Sequence, residues 1–324
     1  GPKDIDYWLK ESPLATHTES IAEQLQVEGD VGIELDLGIP FSSEEDVTYR
    51  VMTSLNSTDV THKESGLLFK NVNGVLEVSS DTGVTANNLK TEFLGEKVGL
   101  KIETRSEIDS NTEAHLSKTQ TVLSLDGGVK VENLLEYFDV NSIMGLSGHF
   151  NYQAELSVPN DDGTYPNLSI KSDLKGVTAE WPAPLNKKPI DSRSLDLDVL
   201  IKPDQMYLAL NFELEKSLNL ESELLFVGNK LTFGEVLIGD AISKAPDITG
   251  LNIFAKINEV QLDPWLNFIQ EISDNAAAES NLIKKIELDI GKLSAYGQVF
   301  QGTHAILTKP SEFWQLELAG QSIQ

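Results

Sequence analysis

Five histidines, His17, His62, His115, His149 and His304, are the side chains of this 324-residue chain best suited to move a proton or ligate a metal near neutral pH. None stands at metal-ligand spacing from another, so each reads as a surface or turn residue. Asp81-Thr82-Gly83 is the triplet of aspartic proteases, whose chemistry needs two aspartates sharing one proton. It occurs once, and Ser80-Asp81-Thr82-Gly83 reads as a hairpin turn. Ser172 and Lys175 have the serine-x-x-lysine spacing of penicillin-recognising enzymes, but the partner motifs are missing and the context is a strand. Asp196 and Asp198 lie on the polar side of an alternating strand, where solvated carboxylates are expected. Cysteine is absent, which removes disulfides, thiolate metal sites and a cysteine nucleophile. With no glycine-rich phosphate loop, Walker lysine or calcium loop either, the expectation is a protein that is not an enzyme and uses no metal or cofactor.

Charge narrows the field further. Lys and Arg number 25 against 51 Asp and Glu, a formal net charge of −26. Nucleic acid is excluded as a partner, because binding it needs clustered cations that displace counterions. Flat adsorption on an anionic leaflet is disfavoured for the same reason. No apolar run reaches the roughly 18 residues of a membrane-spanning helix, and no charged-then-apolar leader opens the chain. Gly1-Pro2 reads as the scar of an expression tag, and residues 3–324 as a piece of a longer protein.

The elements that carry these residues are strands. Hydrophobic residues make up 40% and charged residues 23%, in short Val-, Ile- and Leu-rich runs cut by Gly, Asn, Asp and Ser. Helices are expected at Asp4 to Lys10 and Thr18 to Gln26, then at Val131 to Phe138, where Val131, Leu134, Leu135 and Phe138 share a face. A last helix is expected at Pro264 to Ile272, with Asp263 as its N-cap and Trp265, Phe268, Ile269 and Ile272 on one side. The cleanest alternation is Val31, Ile33, Leu35, Leu37, Ile39 and Phe41. Strands follow at Val47 to Leu55, Gly66 to Lys70, Gly74 to Ser79, Val84 to Leu89, Glu92 to Leu94, Val98 to Glu103, Ala114 to Leu125 and Ser147 to Val158, with Asn71-Val72-Asn73-Gly74 as one of the turns. Leu195, Leu197, Val199 and Ile201, and after Lys202-Pro203-Asp204-Gln205 the set Leu208, Leu210, Phe212 and Leu214, predict a hairpin with matched apolar faces. Leu218 to Phe226, Lys230 to Ile238, Gly250 to Ile257, Ile286-Leu288-Ile290, Leu293 to Phe300, Gly302 to Leu307 and Phe313 to Leu318 complete the strands. Periodicity leaves two architectures open: a closed sandwich that buries the apolar face against a second sheet, or a sheet curled so that this face lines a trough.

The organising stretch is Leu168 to Lys188, read as two strands and a stop: Leu168 and Ile170 share a strand face, Gly176 permits a reversal, and Pro182 and Pro184 cannot donate to a ladder. Ser172-Asp173-Leu174-Lys175-Gly176, then Pro182-Ala183-Pro184-Leu185 with Lys187, resembles the "SDL-G, then LPxPLgK" signature of the YhdP family of AsmA-like proteins. Ser12-Pro13-Leu14, with a helix near Ile21 to Leu25 and a strand ending Gly38-Ile39-Pro40, resembles an upstream pattern of that family. Pro246-Asp247-Ile248-Thr249-Gly250-Leu251, followed by Leu262-Asp263-Pro264-Trp265, resembles a downstream one. One departure is Trp181, where the family more often has an aliphatic residue.

The resemblance implies a mainly β fold: an elongated, twisted antiparallel sheet curled into a hydrophobic groove, with a few short helices, continuous over residues 3–324. It implies non-enzymatic transport of phospholipid between inner and outer membranes across the periplasm, by a protein anchored in the inner membrane through a part outside this chain. Its partners would be phospholipid acyl chains, the two membranes and an outer-membrane protein. The expected groove lining is Val31, Ile33, Leu35, Leu37 and Ile39; Leu195, Leu197, Val199, Ile201, Leu208, Leu210, Phe212 and Leu214; and Ile286, Leu288 and Ile290. A structural or adhesive module with a closed sandwich core and a protein partner is the rival expectation.

Overall fold

A computed structural model describes residues 25–41, 47–63, 66–108, 117–137, 144–160, 164–215, 218–228, 230–242, 249–275, 282–308 and 315–321. The chain forms two compact units, residues 1–129 with 153–164, and residues 130–152 with 165–324.

In the first unit, β1 (Leu25–Gly38), β2 (Thr48–His62), β3 (Leu68–Ser79), β4 (Gly83–Phe93), β5 (Glu96–Ile108) and β6 (Ser117–Lys130) pair antiparallel, each with the next. The later half of β7 (Leu146–Pro159) lies against them: Asn160 N–H donates to the Thr119 carbonyl at 2.9 Å, and Arg105 bridges Glu103 and Glu155 at 2.6 and 3.0 Å. Period-2 alternation sends every second side chain to one face. There Leu55, Val72, Ala86, Leu89 and Leu100 form a small core, with Val31, Val60, Phe69, Leu76, Ile102, Leu123 and Leu125 packed around it.

The Asn71-to-Gly74 segment departs from expectation. It is not a turn, because β3 runs through it as one strand. Asn71 has a left-handed φ of 52°, Ser57 opposite has 48°, and the β2–β3 register shifts twice there. Side chains replace the lost ladder bonds: Asp59 Oδ1 accepts from Asn71 N–H at 2.8 Å and Asn73 Oδ1 from Ser57 N–H at 3.0 Å. Turn-type residues here build bulges inside long strands. Val84 to Leu89 and Glu92 to Leu94 likewise merge into β4.

The second unit holds α1 (Val131–Tyr137), the start of β7, β8 (Asn167–Ser172), β9 (Val177–Ala179), β10 (Leu195–Lys202), β11 (Gln205–Glu215), β12 (Leu218–Val227), β13 (Lys230–Gly239), β14 (Gly250–Gln261), α2 (Leu262–Asn275), β15 (Ile283–Ala295), β16 (Gln298–Thr308) and β17 (Gln315–Gln321). β8, β10, β11, β12 and β13 pair antiparallel in that order. β9 pairs with the start of β7. Within the expected antiparallel sheet, β13–β14 and β14–β15 are parallel, before β15, β16 and β17 return to antiparallel pairing. A parallel pair needs a crossover, and α2 supplies the one between β14 and β15.

Most described residues are in strands and both described helices are short, as the fold class requires. Gly176, with φ of 100°, is where the reversal was expected; a Cβ there would stand 2.0 Å from the His149 carbonyl oxygen. Leu293 to Phe300 is not one strand, since Tyr296-Gly297 turns the chain between β15 and β16. Of Thr18 to Gln26, the last two residues begin β1 and the rest lie outside the described residues, as do Asp4 to Lys10, Phe138, His17, His115 and Phe313. The Asp263 carboxylate, the expected N-cap of α2, accepts from Tyr296 N–H at 3.0 and 3.1 Å.

Candidate functional site

Three rows of facing residues cross the second unit, and its candidate site is built from them. One row runs Ile170, Leu197, Leu210, Ser222, Val236, Ile253, Ile286, Leu307, Leu316 across β8 and β10 to β17. The next runs Leu195, Phe212, Leu220, Ile238, Ala255, Leu288, Ala305, Leu318. On the other side, Leu168, Val199, Leu208, Leu224, Gly234 and Leu251 make a third. Because register is kept, aliphatic side chains from nine strands share a single face. At Gly234 the neighbouring leucines close over the backbone, and a Cβ added there would meet Leu224 and Leu251, each at 2.9 Å.

The residues expected to line a groove fall on these rows. Leu195, Leu197, Val199, Leu208, Leu210, Phe212, Ile286 and Leu288 do so directly; Ile201 pairs with Met206, and Ile290 with Ile257 and Thr303. Leu214 is the exception. It sits where the β11–β12 register slips between Glu213 and Glu215, has no cross-strand partner in the ladder, and is fully buried. In the first unit, Val31 pairs with Leu55 and Leu35 with Val51, which continues to Val78 and Val84. Ile33 and Leu37 face Thr53 and Tyr49, and Ile39 lies just past the end of β1.

These faces are unevenly covered, with Val199, Ser222, Ala255, Ile290 and Ala305 buried on them. Leu195, Leu197, Leu208, Leu210, Phe212, Ile286 and Leu288 are all of intermediate exposure, where residues sealed between two sheets are buried. The margins are more open: Ile33, Leu35 and Leu37 are 49%, 43% and 51% exposed, and Leu316 and Leu318 are 56% and 66%. The opposite face of β10 to β12 carries Asp196, Asp198, Asn211, Glu221 and Glu223, with Asp196 3.6 Å from Lys171 Nζ. Further along, at β13 to β16, that reverse face becomes mixed, with Phe254 and Glu287 buried in it.

The residues singled out for polar chemistry are dispersed. Ser80 to Thr82 is the turn between β3 and β4, fastened by Ser79 Oγ, which accepts from Thr82 N–H at 3.1 Å. Ser172 Oγ donates to the Asn151 carbonyl at 2.7 Å and accepts from Leu174 N–H at 2.9 Å, so it is a turn fastener. His304 Nδ1 lies 2.6 Å from Asp289 Oδ1 on β15. Among the described residues no three His, Asp or Glu side chains are grouped to hold a metal, and no helix is long and apolar enough to cross a membrane.

The signature stretch is built by two buried cations that sequence reasoning left unassigned. Lys187 Nζ donates to the carbonyls of Val177, Lys188 and Asp191 at 3.1, 3.2 and 2.7 Å, using all three of its protons. Burial, and then the neighbouring Arg193 charge, hold its pKa below the usual lysine value. Arg193 donates to the carbonyls of Pro184 and Asn186, and its own N–H to the Asp173 carbonyl at 2.7 Å. Asp173 Oδ1 closes the turn on Lys175 N–H at 3.0 Å. Beside this knot Trp181 donates to the Met144 carbonyl at 2.7 Å, and Trp265 of α2 to the Ala183 carbonyl at 2.9 Å. Neither arrangement leaves a nucleophile, base or oxyanion donor free for reaction; both shape backbone.

Comparison with known proteins gives one family and one curated relative. The family described as YhdP protein matches residues 3–324. The intermembrane phospholipid transporter YhdP of Escherichia coli (strain K12) is 25% identical over 192 residues, which are 58% of this chain and 14% of that protein. This chain thus corresponds to a small part of the relative's length. No solved structure matches.

Proposed function

The chain belongs to the YhdP family, and from that premise we propose that it is one section of a non-enzymatic conduit that carries phospholipid between the inner and outer membranes of the cell envelope. The whole protein spans the periplasm from an anchor in the inner membrane, meets a protein at the outer membrane, and maintains outer-membrane lipid supply. Each of the described units contributes apolar lining. The observation that carries this reading is the in-register row across β8 and β10 to β17, in which Ile170, Leu197, Leu210, Val236, Ile253, Ile286 and Leu307 are all half-exposed.

The physics follows from the cost of wet hydrocarbon. Withdrawing an acyl chain from a bilayer into water costs about 0.8 kcal/mol per methylene, on the order of 12 kcal/mol for one long chain. A strip of Leu, Ile and Val offsets most of that, while the headgroup stays in water at the open side. Tight headgroup recognition would make a deep well and stop movement, which accounts for a chain without a sharp binding motif.

A photo-crosslinking side chain at Leu197 should capture phospholipid in cells, and one at Asp198, on the reverse face, should not. Equal capture at both positions would sink the assignment. The sandwich alternative predicts capture at neither, with Leu197 sealed from any ligand.

A further inference from the structure

The ends of two strands overrun their neighbours on the same side of the second unit's sheet. The last β8–β10 pair is Ser172 with Leu195, and β9 lies beyond it, paired with β7 and bridged through Ala179 to Lys187. The last β13–β14 pair is Gly239 with Lys256, and residues 257–261 run on beside β15 alone. Between β8 and β14 are five ladder steps, about 24 Å at roughly 4.8 Å each. Yet the extensions of these two strands touch. Trp265, four residues past β14, donates its indole N–H to the carbonyl of Ala183, four residues past β9, at 2.9 Å. Phe268 sits between Trp181 and Trp265, with ring centroids 6.5 and 6.1 Å away.

Resting on the transport reading above, we propose that α2 is a latch which bridges this end of the second unit's sheet by docking Trp265 on the Trp181–Ala183 turn, and that it opens to let an acyl chain pass that end. Its two halves differ in firmness. The turn is the fixed half, since Lys187 binds the carbonyls of Val177 and Asp191 and Arg193 that of Pro184, anchoring the chain on both sides of it. The helix is the moving half: among the described side chains a neutral hydrogen bond and ring contacts hold it to the turn, and the Asp263 carboxylate on Tyr296 N–H pins its first turn as a pivot. Contacts of that kind are weak enough to open and close without unfolding the sheet.

The chain contains no cysteine, so Ala183→Cys with Trp265→Cys can be bridged selectively by a short bis-maleimide. The readout is exchange of a fluorescent phosphatidylethanolamine between the 324-residue chain and vesicles of phosphatidylethanolamine and phosphatidylglycerol. Bridging should slow exchange about tenfold relative to the same variant capped with a mono-maleimide, while a crosslinker at Leu197 still captures lipid. Trp265→Phe, which keeps a ring and loses the donor, should exchange faster than the unmodified chain. Lipid captured at Leu197 with equal exchange in bridged and capped protein overturns the latch and leaves the conduit standing. No capture at Leu197 in any variant overturns both.

Discussion

Leu210→Asp separates an open trough from a sealed core more sharply than any other single change. Leu210 faces Leu197 on β10 and Ser222 on β12, and it is of intermediate exposure. Burying a leucine fully is worth about 1.5–3 kcal/mol, so a half-covered one forfeits about 1–2 kcal/mol on replacement. Placing aspartate in a strand costs up to about 1 kcal/mol more. The total, about 1–3 kcal/mol, lowers the melting temperature by about 2–12 °C for a unit of this size. In a sealed core the carboxylate would also be stripped of water with no cation to meet it, which adds several kcal/mol and unfolds the domain. Transfer responds differently, because passage is a series process and one hydrated carboxylate in the lining is a barrier every acyl chain must cross. Thermal unfolding alongside vesicle-to-vesicle transfer by the full-length protein should therefore show a folded variant with transfer nearly abolished. Outright unfolding would refute the open face; a folded variant that transfers lipid at the normal rate would refute its use as the conduit.

Other perturbations test separate parts of the argument. Gly234→Phe forces Leu224 and Leu251 aside without adding charge, so transfer should fall at the roughly 1–3 kcal/mol stability cost of overpacking; undiminished transfer would show that this part of the face is not on the route. Lys187→Met removes one donor from each of three carbonyls, of which that of Lys188 keeps Asp191 N–H, and should destabilise by about 2–4 kcal/mol, with new protease cleavage confined to residues 173–193; an unchanged digest would show that the knot does not hold the turn. Burial pushes the Tyr152 hydroxyl up to about 12 from its ordinary 10, and no hydrogen-bond partner meets it among the described residues. The folded chain therefore keeps a proton that the unfolded chain loses above pH 10. Stability should fall between pH 10 and 12 through this group, and Tyr152→Phe should flatten the fall; parallel pH curves for the two proteins would contradict the shift.

The apolar face could be read from the chain because a side-chain period of two states directly which residues share a side. Leu195 to Ile201 and Leu208 to Leu214 predict a hairpin, and β10 and β11 pair in the register their alternation requires. The same period is blind to strand direction, so nothing in Lys230 to Ile238 or Gly250 to Ile257 distinguishes a parallel neighbour from an antiparallel one. Asn71 and Gly74 signal left-handed backbone correctly, but a bulge inside a strand and a turn between strands use the same residues. Lys187 and Arg193 were hidden for another reason. Their partners are main-chain carbonyls, and a one-letter sequence does not display which carbonyls lack a donor.

The two parallel pairings also bear on the order in which the chain acquires its structure. A meander such as β10 to β13 joins residues close in sequence, so each hairpin can form as soon as its second strand exists. β14 and β15 pair only after residues 262–282 have been looped back along the sheet, and the entropy of that closure is lost before any ladder bond is gained. The sheet therefore grows quickly to β13 and stalls there, with a bare edge that the next strands must reach from a distance. Pulse-labelled hydrogen exchange during refolding would find the amides of β14 and β15 protected after those of β10 to β12, and simultaneous protection would contradict this order.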